Sequence, residues 1–355
     1  MLIVTTEASG VDKYSQEMAV RLGVKEVSTR RYLSFPDACR LSWVIRNEPD
    51  IVHLPNQNFA RFALLRRNPY IVTVHDLIRF FFGFDHETLT ERLWLRLDTW
   101  GIRRASHLIV PSHHTKGDLI SYLKIPEDRI SVIYNGLDHN VFKPVSAQTG
   151  YEPYILYVGS ERPRKNLGRL LEAFALLKKE FPELKLVKVG SRGRSERYRR
   201  NTLSRAISLG IAEDVVFVDH VSDEELAGYY SAAALLVYPS LYEGFGLPPL
   251  EAMACGCPVV ASNTSSLPEV IGDAGIMVDP CDVPALAQAM RRVLSDSRLR
   301  GELVEKGLKR AQRFSWDRAA EQTWEVYRKV AAGQTREVYW KGRRVRQPDE
   351  SAQRY

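Results

Sequence analysis

Short apolar runs alternate with longer amphipathic stretches along most of the chain. The runs are rich in aliphatic and β-branched residues, and a polar or glycine-containing segment follows most of them. This alternation is typical of parallel strands joined by crossover helices. It predicts strands at residues 2–6, 51–54, 70–75, 107–111 and 130–135 in the first half, and at 154–159, 184–190, 215–219, 235–239, 258–261 and 276–278 in the second.

The alternation runs through the chain twice, and a segment rich in Pro, Gly, Ser and Gln separates the two runs at residues 140–153. Such a composition is typical of an exposed linker. We therefore expect an α/β protein with two doubly wound, Rossmann-like domains at 1–148 and 149–315. Because such sheets bind ligands beyond the carboxyl ends of their strands, we expect the active site in a cleft between the two halves.

The C-terminal part differs from this pattern. Apolar residues recur at helical spacing from Trp316 to Tyr327, which predicts a helix at 316–332 that packs at the domain junction. Residues 333–355 are polar and basic, and we expect a loosely held tail there.

Composition narrows the class of protein. The 355 residues are 45% hydrophobic and 26% charged, which is the balance of a globular enzyme rather than of a disordered chain or a small recognition module. Four cysteines are too few for a disulfide framework, and no apolar run is long enough to cross a bilayer. No secretory signal is evident, so we expect a cytoplasmic protein. The net charge of +7 favours anionic partners.

Two glutamates bracket a segment rich in glycine and proline directly after the predicted strand at 235–239. Glu243 precedes this segment and Glu251 follows it, with Pro248 and Pro249 suited to the opening turn of a helix. We expect Glu251 in the first helical turn, where its two oxygens can accept hydrogen bonds from the vicinal hydroxyls of a ribose. Glu243 could hold a hydroxyl of a second ring. The structural alternative is an ordinary acid at a helix start.

This arrangement of Glu, seven residues and Glu resembles the retaining glycosyltransferases of family 4, which have the GT-B fold, and the similarity extends over nearly the whole chain. The resemblance implies that Glu243 contacts the transferred sugar and that Glu251 contacts the nucleotide ribose. It also implies an acceptor-side N-terminal domain and a C-terminal domain that binds the nucleotide sugar. The backbone of the intervening turn is expected to hold donor oxygens, at Gly244, Phe245, Gly246 and Leu247.

A second signal lies after the predicted strand at 154–159. Arg164 and Lys165 precede an amphipathic helix for which Asn166 is a plausible N-cap. Backbone amides, the helix dipole and two cations would together bind a diphosphate there, although two basic residues before a helix are more often solvated surface. The resemblance implies that both neutralise the departing nucleoside diphosphate, with Arg162 a competitor for the main phosphate contact.

Three further turns are expected in the donor site. Gly159 and Ser160 occupy the place where many family members have Gly-Arg. The resemblance implies that the backbone at Val221 contacts the base. Gly10, after the first strand, would let the backbone approach the phosphates.

The N-terminal half supplies residues at strand ends. His75 ends the predicted strand at 70–75, and the family's His-Asp-Leu sequence implies that it contacts the sugar near the anomeric centre. Asp76, His53 and Ser112 are acceptor-side candidates at the same or corresponding strand ends. The aromatic run at 80–84 is either an apolar lip for an acceptor or membrane surface, or part of the core.

No Asp-x-Asp sequence occurs, so we expect no divalent metal and no other cofactor, with the leaving-group charge met by protein cations and dipoles. A nicotinamide dehydrogenase is disfavoured because the first strand is not followed by Gly-x-Gly-x-x-Gly. Nucleic-acid binding has no support beyond charge.

Together with the missing Asp-x-Asp, the resemblance implies a metal-independent, retaining hexosyltransferase in glycan or glycolipid synthesis. The His-Asp-Leu and Pro-Arg-Lys-Asn sequences look most like those of mannosyltransferase-type members, which implies GDP-mannose as the donor, with UDP-glucose as the alternative. The expected hydroxyl acceptor is a sugar, a glycolipid or a small polyol. A catalytically inactive accessory subunit that binds a nucleotide sugar is the alternative of another class. Peripheral contact with the inner face of a membrane is compatible with these features.

Overall fold

The computed structural model describes residues 1–5, 10–29, 35–82, 88–193, 195–333, 339–340 and 343–344. Its strands are β1 (Leu2–Thr5), β2 (Glu26–Thr29), β3 (Val52–Leu54), β4 (Tyr70–Thr73), β5 (His107–Val110), β6 (Ile130–Val132), β7 (Tyr154–Val158), β8 (Lys185–Val189), β9 (Val215–Val218), β10 (Leu235–Tyr238), β11 (Val259–Ser262), β12 (Gly275–Val278), β13 (Tyr339–Trp340) and β14 (Arg343–Arg344).

The α-helices are α1 (Gly10–Leu22), α2 (Phe35–Asn47), α3 (Ile78–Phe81), α4 (Leu89–Arg104), α5 (His113–Leu123), α6 (Leu167–Lys178), α7 (Glu196–Ser208), α8 (Asp223–Ala232), α9 (Leu247–Ala254), α10 (Leu267–Ile271), α11 (Val283–Ser295), α12 (Ser297–Ala311) and α13 (Trp316–Ala332).

Within the described residues, β1–β12 form two six-stranded parallel sheets, which confirms the predicted doubly wound α/β class. The first has the order β2-β1-β3-β4-β5-β6 and the second β12-β11-β10-β7-β8-β9. In the second sheet the strand order reverses between β7 and β10, which pair directly. A ligand crevice is expected at such a reversal, because the connections that leave the two strands diverge to opposite faces.

Each sheet is covered by helices on both faces, so its strands are nearly continuous apolar runs. All five residues of β7 are buried, and so are those of β10 and β11. Such uninterrupted burial is what a parallel sheet between two helical layers requires. The loops at the carboxyl ends are therefore held on a rigid scaffold.

The C-terminal helix α13 follows the second sheet in sequence but packs on the first. Trp316, Ala319 and Trp324 are buried with Tyr14 of α1 and with Leu2 of β1. The connection between the two halves is thus made by the core of the N-terminal sheet, and not by an exposed linker alone.

The edge of the first sheet and the end of the chain differ from the sequence expectations. The pattern did not predict β2, an edge strand of sequence Glu-Val-Ser-Thr whose residues alternate between exposed and half-buried. The expected loose tail lies largely outside the described residues, apart from the short antiparallel pair of β13 and β14.

Candidate active site

The candidate site lies where β7 and β10 end side by side. The segment after β7 carries Arg164 and Lys165, and the segment after β10 carries Glu243. Leu241 donates its backbone N–H to the carbonyl of Arg164 at 2.8 Å, which joins the two segments. Pairing of the two strands therefore brings together side chains that are nearly eighty residues apart in sequence.

The carboxylate of Glu243 is the centre of a buried polar cluster. Its Oε1 lies 2.6 Å from Lys165 Nζ and 3.1 Å from Arg164 Nη1. Tyr238 OH donates to the same oxygen at 3.1 Å and accepts from Lys165 Nζ at 2.5 Å. The structure thus brings together three residues that the sequence predicted for one site.

Opposing effects determine the protonation of this cluster. Burial favours a neutral carboxyl group, but the adjacent Lys165 and Arg164 cations outweigh it and hold the pKa of Glu243 at about 2. Burial lowers the pKa of Lys165, although the Glu243 carboxylate counters this. With both cations charged and Glu243 ionised, the cluster has a net charge of +1, which suits an anionic ligand.

Arg164 has unused hydrogen-bonding capacity. Its Nη1 donates to Glu243 and to the Tyr242 carbonyl, but its Nε is buried and has no acceptor among the described residues. A buried donor without a partner is costly unless a ligand or water supplies one. Arg162 is half-exposed and is the N-cap of the short 3₁₀ turn Pro163–Lys165.

Asn166 does not cap α6 with its side chain, contrary to the sequence expectation. It is in the left-handed region, at φ 61°, and its amide donates to the carbonyls of Pro239 and Pro280 at 3.0 and 2.7 Å. The side chain is therefore used to tie the cationic turn to the segment after β10. Its contribution is to fix the relative position of Lys165 and Glu243.

The turn between Glu243 and Glu251 contains a glycine with positive φ, followed directly by the start of α9. Gly246 is the N-cap of α9, with φ +116°, a conformation that L side chains rarely adopt. Within the described part of the chain, the backbone N–H groups of Phe245, Gly246 and Leu247 donate to no protein acceptor. Free amides at the start of a helix suit phosphate or sugar oxygens.

Glu251 is the fifth residue of α9, so the prediction that it lies in the first turn was wrong. The helix begins at Leu247, before the two prolines, and its first turn has no acidic residue. Glu251 Oε2 accepts from Tyr230 OH at 2.8 Å. Burial raises the pKa of Glu251 to about 7, although the Tyr230 hydrogen bond and the positive charge of Lys13 oppose this.

Other predicted donor residues border the same edge of the second sheet. Gly159 follows β7 with φ +152°, and Ser160 accepts from Tyr157 OH through its carbonyl. Val221 lies between β9 and α8 and is half-buried. Gly10 begins α1 at the end of β1, but the preceding residues 6–9 lie outside the described residues.

The first sheet contributes the segment after β4. His75 Nε2 donates to the Pro55 carbonyl at 2.7 Å, and a Cβ on Gly244 would overlap the His75 carbonyl oxygen. Burial raises the pKa of Asp76, although the nearby cations Arg164 and Lys165 counter this. The backbone of His75 therefore lies against the turn after Glu243, and Asp76 lies near the cluster from the side of the first sheet.

His53 and Ser112 are not brought to this cluster, and the structure gives them structural positions instead. His53 is buried, with Nδ1 2.6 Å from Tyr327 OH and Nε2 2.8 Å from Thr73 Oγ1. Ser112 is the buried N-cap of α5, accepting from Thr115 N at 3.0 Å. The imidazole of His53 and the hydroxyl of Ser112 therefore both have hydrogen-bond partners within the protein.

Two tyrosines of the cluster were missed from the sequence. Tyr238 is the last residue of β10, and Tyr242 packs on Phe81 with its hydroxyl bonded to Asp118 of the first sheet's domain. The predicted strand at 235–239 already included Tyr238, but nothing in the sequence shows that its hydroxyl reaches Lys165. Phe80 is partly exposed, and Phe84 of the aromatic run lies outside the described residues.

Within the described residues, no group of three or more His, Cys, Asp or Glu side chains is placed to hold a metal ion. In the same part of the chain, no helix is both long enough and apolar enough to cross a membrane.

Sequence comparisons agree with the two-sheet architecture. Residues 2–141 match the family described as Glycosyltransferase Family 4, and residues 139–310 match Glycosyl transferases group 1. The chain is 34% identical over 305 residues to O-antigen chain mannosyltransferase B of Escherichia coli, which covers 81% of this chain and 77% of that protein.

Two further similarities extend over most of the chain. The chain is 35% identical over 236 residues to the MMP alpha-(1->4)-mannosyltransferase of Mycolicibacterium hassiacum, which covers 65% of this chain and 56% of that protein. The solved structure of Anabaena HepE in complex with UDP-glucose is similar with a TM-score of 0.78 at 20% identity, and the match covers 92% of this chain and 99% of that one.

Proposed function

The chain belongs to glycosyltransferase family 4 and has the GT-B fold, and from this premise we propose that it transfers mannose from GDP-mannose to a hydroxyl acceptor with retention of anomeric configuration. The observation that carries the proposal is the buried cluster of Arg164, Lys165 and Glu243 at the strand reversal of the second sheet.

Arg164 and Lys165 would stabilise the diphosphate as it leaves. Negative charge grows on the leaving group during transfer, and fixed cations in a water-poor site stabilise that charge better than solvent does. The unpartnered Nε of Arg164 is a donor ready for a phosphate oxygen. This geometry favours Arg164 over the half-exposed Arg162 as the main phosphate ligand.

Glu243 would orient the transferred sugar, and Glu251 would accept from the ribose hydroxyls. Both carboxylates flank the turn whose free amides begin α9, so sugar, phosphate and ribose could be held along one edge. His75 and Asp76 would complete the sugar site from the first sheet. Closure of the two domains would exclude water that could otherwise hydrolyse the donor.

The choice of donor rests on the relatives. The two similar proteins above are both named as mannosyltransferases, which supports GDP-mannose. UDP-glucose is the second candidate, because the similar HepE structure was solved with it. We also propose that transfer needs no divalent metal, since Arg164 and Lys165 are placed to meet the leaving-group charge.

Ligand-dependent melting tests the donor. A ligand that binds only the folded state at about 100 times its Kd adds about 2.7 kcal/mol, which raises the Tm by about 4 °C for a protein of this size. We expect GDP and GDP-mannose to give this shift, and UDP and UDP-glucose to give much less. The reverse order would replace the donor assignment.

Lys165→Met, which removes the charge, should abolish the GDP-dependent shift. Lys185→Met is the matched control, because Lys185 is the first residue of β8 and lies at the amino-terminal ends of the strands, away from the cluster.

Mannose transfer that persists in excess chelator would support metal independence. Donor binding without transfer to lipid-linked or free sugar acceptors would favour the accessory subunit.

A further inference from the structure

The outward face of α4 is apolar, which is unusual for a helix on the surface of a globular domain. Leu89 is 83% exposed, and Leu93 and Trp100 are each 53% exposed. These positions are four and seven residues apart, so at 3.6 residues per turn they form one stripe along the helix. An exposed apolar stripe of this kind usually marks an interaction surface.

Within α4, the charged residues that flank this stripe are all positive. Arg92, Arg96, Arg103 and Arg104 are exposed and lie within about 60° of it on the helical wheel. The acidic residues of α4 lie on the opposite side: Asp98 is buried and pairs with Arg61 at 2.7 Å, and Glu91 closes the capping box with Thr88. Among the described residues, Arg92 and Arg96 form no ion pair, so their charges are available to a partner.

Helix α4 begins close to the candidate active site. The segment after β4 continues from Asp76 into α3, where Phe81 packs on Tyr242 with ring centroids 5.2 Å apart. Arg79 of α3 donates to the Glu91 carbonyl of α4 at 3.3 Å. A surface that binds α4 would therefore lie beside the acceptor side of the site.

We propose that the outward face of α4 binds the surface of an anionic lipid bilayer. Leucine and tryptophan side chains would insert at the boundary between headgroups and acyl chains, and the arginines would contact lipid phosphates, as in interfacial amphipathic helices. This binding goes beyond the transfer reaction and does not depend on which nucleotide sugar is the donor.

Charge decides between a lipid surface and a second copy of the chain. Two copies that met through this face would bring together eight arginines and, from this side of α4, no acidic residue, and like charges at an interface are unfavourable. An anionic bilayer instead supplies phosphates at high density. The face is thus complementary to anionic lipid and not to itself.

Co-sedimentation of the full chain with vesicles tests the proposal. We expect binding to phosphatidylcholine vesicles that contain phosphatidylglycerol, and much weaker binding to phosphatidylcholine alone. Because each arginine near an anionic surface contributes about fivefold to the binding constant, Arg92→Gln with Arg96→Gln should weaken binding about 25-fold. Leu93→Ser with Trp100→Ser should weaken binding to the same vesicles without changing the charge.

Ile207→Ser is the matched control, since Ile207 is an exposed apolar residue on the arginine-rich helix α7 and should not affect binding. The substituted α4 positions are all exposed, so the variants should melt as the wild type does. Loss of vesicle binding with an unchanged nucleotide-dependent melting shift would support the proposal and separate this surface from the donor site.

Two outcomes would overturn the assignment of α4 to a lipid surface. One is equal binding of wild type and α4 variants, or no binding to anionic vesicles at all. The other is self-association in solution that the leucine and tryptophan changes abolish, which would indicate a dimer interface instead.

Discussion

Glu243 and Glu251 are identical side chains eight positions apart, but their surroundings give them opposite acid–base properties. Two cations lower the pKa of Glu243 to about 2, so it is ionised at every physiological pH. Glu251 has only a tyrosine hydroxyl as direct partner among the described residues, and burial raises its pKa to about 7. Their spacing predicted that both residues belong to one site, but it could not show which of them titrates near neutrality.

The raised pKa of Glu251 predicts a specific pH dependence of stability. Between about pH 4.5 and 7 the folded protein keeps a proton that the unfolded chain has lost, so this residue reduces stability as the pH rises through that window. Glu251→Gln should therefore raise the Tm near pH 8 by about 2–4 °C and change it little below about pH 4.5. Thermal melts of the unliganded protein across this range measure the effect.

Glu243→Gln is the opposite case. The lowered pKa of Glu243 means that its ionised carboxylate stabilises the fold above the ordinary pKa of 4.5, so the substitution should lower the Tm at neutral pH.

For the other glutamate, a Glu251→Gln variant that melts below the wild type near pH 8 would contradict the raised pKa of Glu251. If Glu251 holds the ribose, its replacement should also raise the KM for the donor.

At the scale of elements, burial explains what the sequence could and could not predict. Strands such as β7 and β10 are buried on both faces, and their unbroken apolar runs were evident in the sequence. The edge strand β2 has exposed and half-buried positions, so its polar sequence gave no comparable signal. The 3₁₀ turn at Pro163–Lys165 was also missed, because its form depends on Asn166 bonding to two distant loops.

The sequence predicted α13 as an amphipathic helix at the domain junction, but it did not show that this helix packs on the first sheet. One of the contacts that fix its partner surface is the bond between Tyr327 OH and His53 Nδ1, 274 residues apart in sequence. A strand-end histidine is a reasonable candidate for a ligand contact, and sequence alone cannot show that a helix from the other end of the chain covers it. Burial of His53 is thus a property of the tertiary structure.

Removal of that hydrogen bond should destabilise the protein. Tyr327→Phe leaves a buried imidazole nitrogen without a partner, and such a loss costs about 1–3 kcal/mol of unfolding free energy. Urea denaturation of the variant measures it. Tyr122→Phe is the control, since Tyr122 is more than half exposed and should change stability little. Equal stability of the two variants would show that the bond between α13 and β3 contributes nothing.

Gly244 controls how closely the turn before α9 approaches the first sheet. A Cβ at this position would overlap the carbonyl oxygen of His75, and backbone cannot yield as a flexible side chain does. Gly244→Ala should therefore separate Glu243 from His75. Because displacements of about 1 Å can cost 100-fold in rate, we expect a fall in kcat/KM of at least about tenfold.

Gly168→Ala provides the matched control for that change. Gly168 is the second residue of α6, and a Cβ added there would meet no atom within 4 Å, so alanine should be tolerated. Wild-type activity of Gly244→Ala would mean that the two sheets need not approach as closely during transfer. Steady-state kinetics with both variants distinguishes these outcomes.

At the scale of the whole molecule, the two halves are joined by polar contacts around the candidate site. Lys13 of α1 pairs with Asp223 of α8 at 2.6 Å, and Tyr242 bonds to Asp118 of α5. The carboxylate of Glu269 in α10 accepts from the backbone N–H groups of His113 and His114 at 2.9 and 3.1 Å. These contacts require the domain arrangement seen here, so they stabilise it over an open one.

The contact of Glu269 with the start of α5 allows the most direct test of that balance. Its carboxylate satisfies two free amides at the positive end of a helix dipole, an interaction worth about 0.3–2 kcal/mol. Glu269→Ala should therefore shift the ratio of closed to open molecules towards open by about 2-fold to 30-fold. Small-angle scattering should show a larger radius of gyration for the variant, and saturating donor should reduce the difference, because donor bound between the domains favours closure.

The control is Glu302→Gln, which removes only an exposed ion pair within α12 and should scatter as the wild type does. An unchanged radius of gyration in Glu269→Ala would show that the remaining contacts, among them Lys13 with Asp223, are sufficient to keep the domains closed.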